Sequence, residues 1–184
     1  SINEINPQIE RAQVLAALSS IFIILIGLLF ERIDTKSGEK VSLKGDNKFI
    51  YEKEIPKELL DELAWGSQAI LTSTAAASIL INYKGKNILK RGIVSPNDFY
   101  PGEICKRSLK DMKMISLVNT KFYPGKEEFD DFCLNLPSIL IYPVKKDLII
   151  LIGGWSTRCF TKSDEKWIMN WIKKLPTIFE NCKY

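Results

Sequence analysis

Hydrophobic and polar positions divide this chain into one long run without charge, a lysine-rich stretch, and a series of short apolar segments whose period alternates between helix and strand. The run is AQVLAALSSIFIILIGLLF, Ala12 to Phe30, 19 residues. As a helix it reaches ~28 Å, about the depth of a bilayer's hydrocarbon core. Its polar positions are Gln13, Ser19 and Ser20, too few for the polar stripe of a helix lying on a soluble core, so residues 12–30 are expected to span a membrane. The preceding SINEINPQIER is polar and carries acids, and no small-residue cleavage pattern follows Phe30, which argues against a secretory signal. One basic residue, Arg11, precedes the helix, whereas Arg32, Lys36, Lys40, Lys44 and Lys48 follow it. The positive-inside rule therefore places the C-terminal part in the cytoplasm or an equivalent compartment such as a plastid stroma, with Ser1 across the membrane. A polar leader over residues 1–11 that enters a helix from outside looks like the loop of a transmembrane hairpin, so a preceding helix is expected to have been removed.

Beyond the helix, residues 31–54 read as a linker with short strands on either side of Gly45-Asp46-Asn47, residues 55–176 as a folded domain, and residues 177–184 as a tail. Pro56 suits a first helical position, and Leu59, Leu60, Leu63, Ser67, Ile70, Leu71 and Thr74 recur at intervals of three and four. SILINY and NILKRGIV flank Lys84-Gly85-Lys86, a hairpin signature. A second helix is predicted from Pro101 through Met112, with Ile104, Cys105, Leu109 and Met112 inward, followed by a strand MISLVN. PSILIYPV and DLIILIGG form a second hairpin, apolar enough to be central. Thr161-Lys-Ser-Asp164 is an N-cap signature, and Trp167, Ile168, Trp171, Ile172 and Leu175 make the face of a last helix that Pro176 ends. The order predicts an α+β domain: one antiparallel sheet with helices mainly to one side, as in GAF and PAS-like domains.

Composition narrows the chemistry. The chain has no histidine, which excludes a Ser-His or Cys-His pair, histidine-ligated zinc and a histidine axial ligand to haem. Cys105, Cys133, Cys159 and Cys182 form no CxxC or CxxCH, and in a reducing compartment they are expected to be thiols, mostly buried. A net charge of +4 from 26 basic and 22 acidic residues is not a nucleic-acid footprint, so no nucleic-acid partner is expected. Gly153-Gly154 at a strand end admits a phosphate near the backbone, but a turn leaving the sheet explains it without a phosphate motif. Glu127, Glu128, Asp130 and Asp131 crowd one loop without EF-hand spacing and read as a solvated acidic loop. Lys90-Arg91-Gly92 reads equally as an anion or acidic-partner contact and as a sheet-edge gatekeeper. Trp65 lies off the apolar stripe of its helix, either partly buried against the sheet or serving as an interface anchor. No nucleophile, base and oxyanion donor assemble from this inventory, so no catalytic and no metal-binding residue is assigned.

Taken in order, ELAWGSQAILTST at Glu62 to Thr74, NILKRGIV at Asn87 to Val94, PGEI at Pro101 to Ile104, KFYPGKEEFD at Lys121 to Asp130, LIILIGG at Leu148 to Gly154 and FTKSDEKWI at Phe160 to Ile168 resemble the B-subunit family of cofactor assembly of complex C, found in cyanobacteria and chloroplasts. The resemblance implies a thylakoid membrane protein with a GAF-like domain on the stromal or cytoplasmic side and residues 1–11 on the lumen side. It further implies a role in covalent attachment of the extra haem of cytochrome b6 in the cytochrome b6f complex, in a heterodimer of two related subunits. Members typically have two transmembrane helices, which fits the expectation of a missing first one. The family supplies no catalytic residues to carry over. Without histidine, a protein handling haem must use Tyr, Met, Cys or apolar contacts, or act on apocytochrome b6 and leave haem to a partner. The second is favoured: no permanently bound cofactor, at most a transient haem contact, and an assembly factor or chaperone rather than an enzyme. Trp65, Arg91, Tyr123 and Trp155 are the expected partner contacts. The alternative is a membrane-tethered GAF-type sensor with a small-ligand pocket under the Tyr123 to Pro137 loop.

Overall fold

The computed structural model describes residues 7–34 and 41–182. Most of the leader and the centre of the linker lie outside the described residues. The chain divides into two compact units, Ser1–Ser37 and Gly38–Tyr184.

The first unit is helix α1, Pro7–Asp34. It outruns the charge-free segment at both ends, because the flanking Glu10, Arg11, Glu31 and Arg32 are good helix formers. Its Gln8–Leu29 portion has a mean hydropathy of 2.4 and no buried face, and it is long and apolar enough to cross a membrane. The Ser19 and Ser20 hydroxyls donate to the Leu15 and Ala16 carbonyls at 2.9 Å, so neither presents an unmet donor to an apolar surrounding.

The second unit runs β1 (Asp46–Tyr51), α2 (Lys57–Ser73), β2 (Ala76–Tyr83), β3 (Lys86–Val94), α3 (Glu103–Asp111), β4 (Ile115–Leu117), β5 (Ser138–Lys145), β6 (Leu148–Gly154), α4 (Lys162–Ile172) and α5 (Leu175–Asn181). Six strands form one sheet in the order β1-β3-β2-β6-β5-β4, and neighbours pair antiparallel throughout. The β2–β3 hairpin turns on Lys84 and Gly85 with φ of 49° and 80°. Two successive positive φ values make the turn whose twist matches its strands, and glycine takes the second at no steric cost. β2 and β6 lie at the centre, and β6 is buried along its whole length, as its unbroken apolar run requires.

The sheet separates two cores. On one face Leu59, Leu63 and Ile70 of α2, Ile168, Trp171 and Ile172 of α4, and Leu175 and Phe179 of α5 pack on Ile79, Ile81 and Ile150. On the other, Cys105 of α3 and Phe99, Phe129 and Phe132 of the long connections cover Leu80, Ile141 and Leu151. Three helices therefore share one face and α3 takes the other.

Several local expectations change. Only the second half of VSLKGDNKFIY becomes a strand; Lys44 makes a single bridge to Leu134, and the Val41 N–H bonds the Trp155 carbonyl. Met112 is not an inward helix position: it caps α3 in the left-handed conformation with φ 49° and is 48% exposed. Pro176 does not end the last helix: α4 stops at Ile172, and Leu175 and Pro176 open a further helix, α5, where the missing N–H of a first-turn proline costs nothing. The tail beyond it is helical to Asn181 and buries Phe179 in the first core. The capping box forms as read: the Asp164 N–H donates to Thr161 Oγ1 at 3.1 Å, and the Thr161 N–H to Asp164 Oδ2 at 2.8 Å.

Candidate interaction surface

Arg91 leaves β3 on the α2 face of the sheet. Its Nη1 donates to the Ala64 carbonyl at 2.7 Å and reaches Ser67 Oγ at 3.4 Å, and its guanidinium carbon stands 4.5 Å above the Phe49 ring of β1. One cation thus ties a helix to a strand and to an aromatic face. Burial lowers the Arg91 pKa from its ordinary value, and the group stays charged because guanidinium titrates far above physiological pH.

A cleft of about 430 Å³ opens beside it, lined by Asn47, Phe49, Gln68, Leu71, Arg91 and Trp155 among others. Trp155 arrives from the end of β6, where its N–H bonds the Ala75 carbonyl at 3.1 Å. The cleft therefore joins two of the four residues singled out as partner contacts. Trp65 is on the same helix but does not line it: it is 60% exposed, with Lys174 Nζ 6.0 Å from its ring centroid. Of the two readings of Trp65, exposure removes the one that tucks it against the sheet. Tyr123, 37% exposed, is on the opposite face, in a separate cleft with Ile104, Arg107, Leu117 and Pro124. Phe49 and Gln68 were not singled out from sequence; the alternation of Phe49 with Tyr51 on a short strand was the available signal.

Other motifs resolve into packing. Added Cβ atoms would meet Ser78 Oγ at 2.5 Å from Gly153 and Cys159 Sγ at 2.3 Å from Gly154, so protein side chains fill the space a phosphate would need. Glu128 caps α3, accepting from the Ile104 and Cys105 N–H groups at 2.9 and 3.2 Å, where a carboxylate meets the positive end of the helix. Asp131 accepts from Asn97 Nδ2 at 3.1 Å. Lys90 is buried, donating to the Asn97 carbonyl. Its pKa is lowered by burial, against the opposing pull of Asp98 and Asp131. Cys105 and Cys133 are buried, Cys159 and Cys182 half-buried, all as thiols. A half-open pocket of about 560 Å³ lies at the loop before β5, with Phe129, Cys133 and Ile139 at its wall and Lys121, Lys126 and Asp130 also in its lining.

The antiparallel sheet between unequal helical layers defines a GAF-like α+β domain. Similar solved structures include a type II free methionine-R-sulfoxide reductase from Thermoplasma acidophilum, with a TM-score of 0.54 and 14% identity over 66% of this chain and 93% of that one. A GAF domain/HD domain protein from Geobacter sulfurreducens gives 0.53 and 11%, over 68% and 94%. A far-red cyanobacteriochrome photoreceptor gives 0.52 and 10%, over 91% and 100%. At such identities the likeness concerns fold alone. The family is set by sequence: residues 1–175 match the CCB2/CCB4 family, the B-subunit proteins of cofactor assembly of complex C, and the chain belongs to it. It is 29% identical over 178 residues to the chloroplastic cofactor assembly of complex C protein CCB4 of Arabidopsis thaliana, across 90% of this chain. The match spans 60% of the length of that relative.

Proposed function

We propose that this protein is a membrane-anchored assembly factor that assists covalent attachment of the extra haem to cytochrome b6 of the cytochrome b6f complex. It works as a scaffold or chaperone alongside a related protein of the same family, with which it pairs, and acts on apocytochrome b6 without a permanently bound cofactor. The observation that carries this reading is membership of the cofactor assembly family along residues 1–175. In this reading α1 spans the thylakoid membrane and the GAF-like domain lies on its stromal or cytoplasmic side. The hydropathy of Gln8–Leu29 supports the span, and the excess of basic residues after the helix supports the sidedness. The half-exposed Arg91 and Trp155 and the exposed Trp65 and Tyr123 suit a non-catalytic role in which protein contacts do the work, arginine and the aromatics being common interface anchors.

The test is haem-peroxidase staining of cytochrome b6 on a denaturing gel from cells lacking the gene, since only covalently held haem survives that treatment. The expected result is loss of the stain while apocytochrome is still synthesised; an unchanged stain refutes the proposal. A second reading, a membrane-tethered sensor of a small ligand, is favoured by the half-open pocket at the loop before β5. Under that reading the stain is unchanged and the purified protein carries a bound small molecule.

A further inference from the structure

β1 is an edge strand, and its register shows which backbone groups it leaves open. The Glu52 N–H donates to the Ile88 carbonyl at 3.0 Å, and Ile50, Lys48 and Asp46 stand opposite Lys90, Gly92 and Val94. In an antiparallel ladder hydrogen-bonded pairs alternate with non-bonded ones. The even-numbered residues of β1 therefore bond β3, and the N–H and C=O groups of Asn47, Phe49 and Tyr51 point away from the sheet. No backbone partner meets them among the described residues. The devices that normally blunt such an edge are sparse: β1 has no proline and no bulge, and Lys48 is its one lysine. Phe49, Ile50 and Tyr51 are 41%, 41% and 44% exposed, an unusual concentration of apolar surface on an open strand.

The same edge borders a cationic site. The cleft on the α2 face presents the Arg91 guanidinium and, among the described residues, has no carboxylate in its lining; Lys48, next to Phe49 on the strand, turns its side chain to the other face, where it pairs with Asp46 at 2.7 Å. Only Nη1 of Arg91 is engaged, so among the described residues the N–H groups of Nη2 and Nε have no protein acceptor. The guanidinium rests on the ring of Phe49, a residue whose main chain faces outward. A strand added to β1 would set one residue directly opposite Phe49, with its side chain on the Arg91 side of the sheet at about 5 Å between Cβ atoms.

We propose that the outer edge of β1 takes up an extended, acid-bearing segment of a protein partner as an added strand, with the acidic side chain opposite Phe49 seated on Arg91. Main-chain pairing supplies affinity and the Arg91 contact supplies choice of sequence. Charge selects this occupant over a second copy of the chain, because pairing β1 with itself about Phe49 brings the two Arg91 guanidiniums together.

The experiment uses the full chain in detergent and two fluorescein-labelled, capped peptides of alternating threonine and valine, one with a central glutamate and one with a central lysine. Fluorescence anisotropy is expected to show the glutamate peptide binding about tenfold tighter, with the preference shrinking as salt rises. Arg91→Gln is expected to abolish the preference. Asn47→Pro, which removes an outward N–H that the β1–β3 ladder does not use, is expected to weaken both peptides. Equal affinities, a preference that survives Arg91→Gln, or no binding up to about 1 mM, the range of the weakest specific contacts, overturns the proposal. So does light scattering that shows a dimer dissociated by Asn47→Pro, which assigns the edge to a second copy. Because the peptides probe the edge and not haem attachment, these failures leave the cytochrome staining result standing on its own.

Discussion

Replacing Gly66 with alanine tests the packing of α2 on α4. A Cβ at Gly66 would lie 2.0 Å from Cε2 and 2.2 Å from Nε1 of Trp171, far inside any tolerated contact. The indole has little room to yield: it is 5% exposed, and its N–H donates to Glu62 Oε1 at 3.1 Å, an oxygen that also accepts from Lys174 Nζ at 2.9 Å. Overpacking a core contact costs about 1–3 kcal/mol, and breaking the indole hydrogen bond adds about 1 kcal/mol. Alanine returns about 1 kcal/mol through its greater helix propensity. The net loss is about 2 kcal/mol, a fall in Tm of roughly 4–8 °C for a domain of this size. Thermal unfolding followed by near-ultraviolet circular dichroism measures the fall, with Gly27→Ala as the control, since nothing among the described residues lies within 4 Å of a Cβ there. In a Trp171→Leu background the obstacle is gone and Gly66→Ala is expected to be neutral or stabilising. An unchanged or raised Tm for Gly66→Ala alone, or the same cost in the Trp171→Leu background, refutes the reasoning.

Two further predictions concern the loop face. Glu128→Ala removes both side-chain acceptors at the start of α3 and is expected to cost about 1–2 kcal/mol. Glu127→Ala, at an exposed position, is expected to change stability by less than about 0.5 kcal/mol; urea unfolding of the two variants checks the contrast. For the thiols, iodoacetamide labelling of the native protein with peptide mapping is expected to leave Cys105 and Cys133 unmodified while Cys159 and Cys182 react. Burial, with Asp130 adding to it, raises the Cys133 pKa from 9.0 to about 11. Its unfolded thiol therefore ionises first, so its contribution to stability is complete below pH 9.0, falls as pH rises, and is gone above about 11. Cys133→Ala is expected to flatten that part of the stability profile.

What sequence determined by itself was what short-range periodicity and stereochemistry encode. A charge-free run about as long as a bilayer core is deep, a lysine-glycine turn between alternating segments, and a threonine three residues ahead of an aspartate each specify a local conformation, and α1, the β2–β3 hairpin and the α4 cap follow from them. The ordered motifs from Glu62 to Ile168 were likewise enough to indicate the family, because they extend along the chain and need no contacts to be read. Boundaries were less legible where the environment outweighs propensity: α5 exists because Phe179 and Leu175 find a core, and Pro176, which ends one helix pattern, is equally fit to begin another. Tertiary structure alone decided that β1 pairs outside β3, that Glu128 caps a helix distant in sequence, that Gly66 makes room for Trp171, and that Arg91 stacks on Phe49 and shares a cleft with Trp155 while Tyr123 faces the other way. The physical reason is that periodicity states which side of an element is apolar but not which other element will cover it. That choice belongs to the packing of the whole sheet, and it brings Arg91 and Trp155 to one cleft.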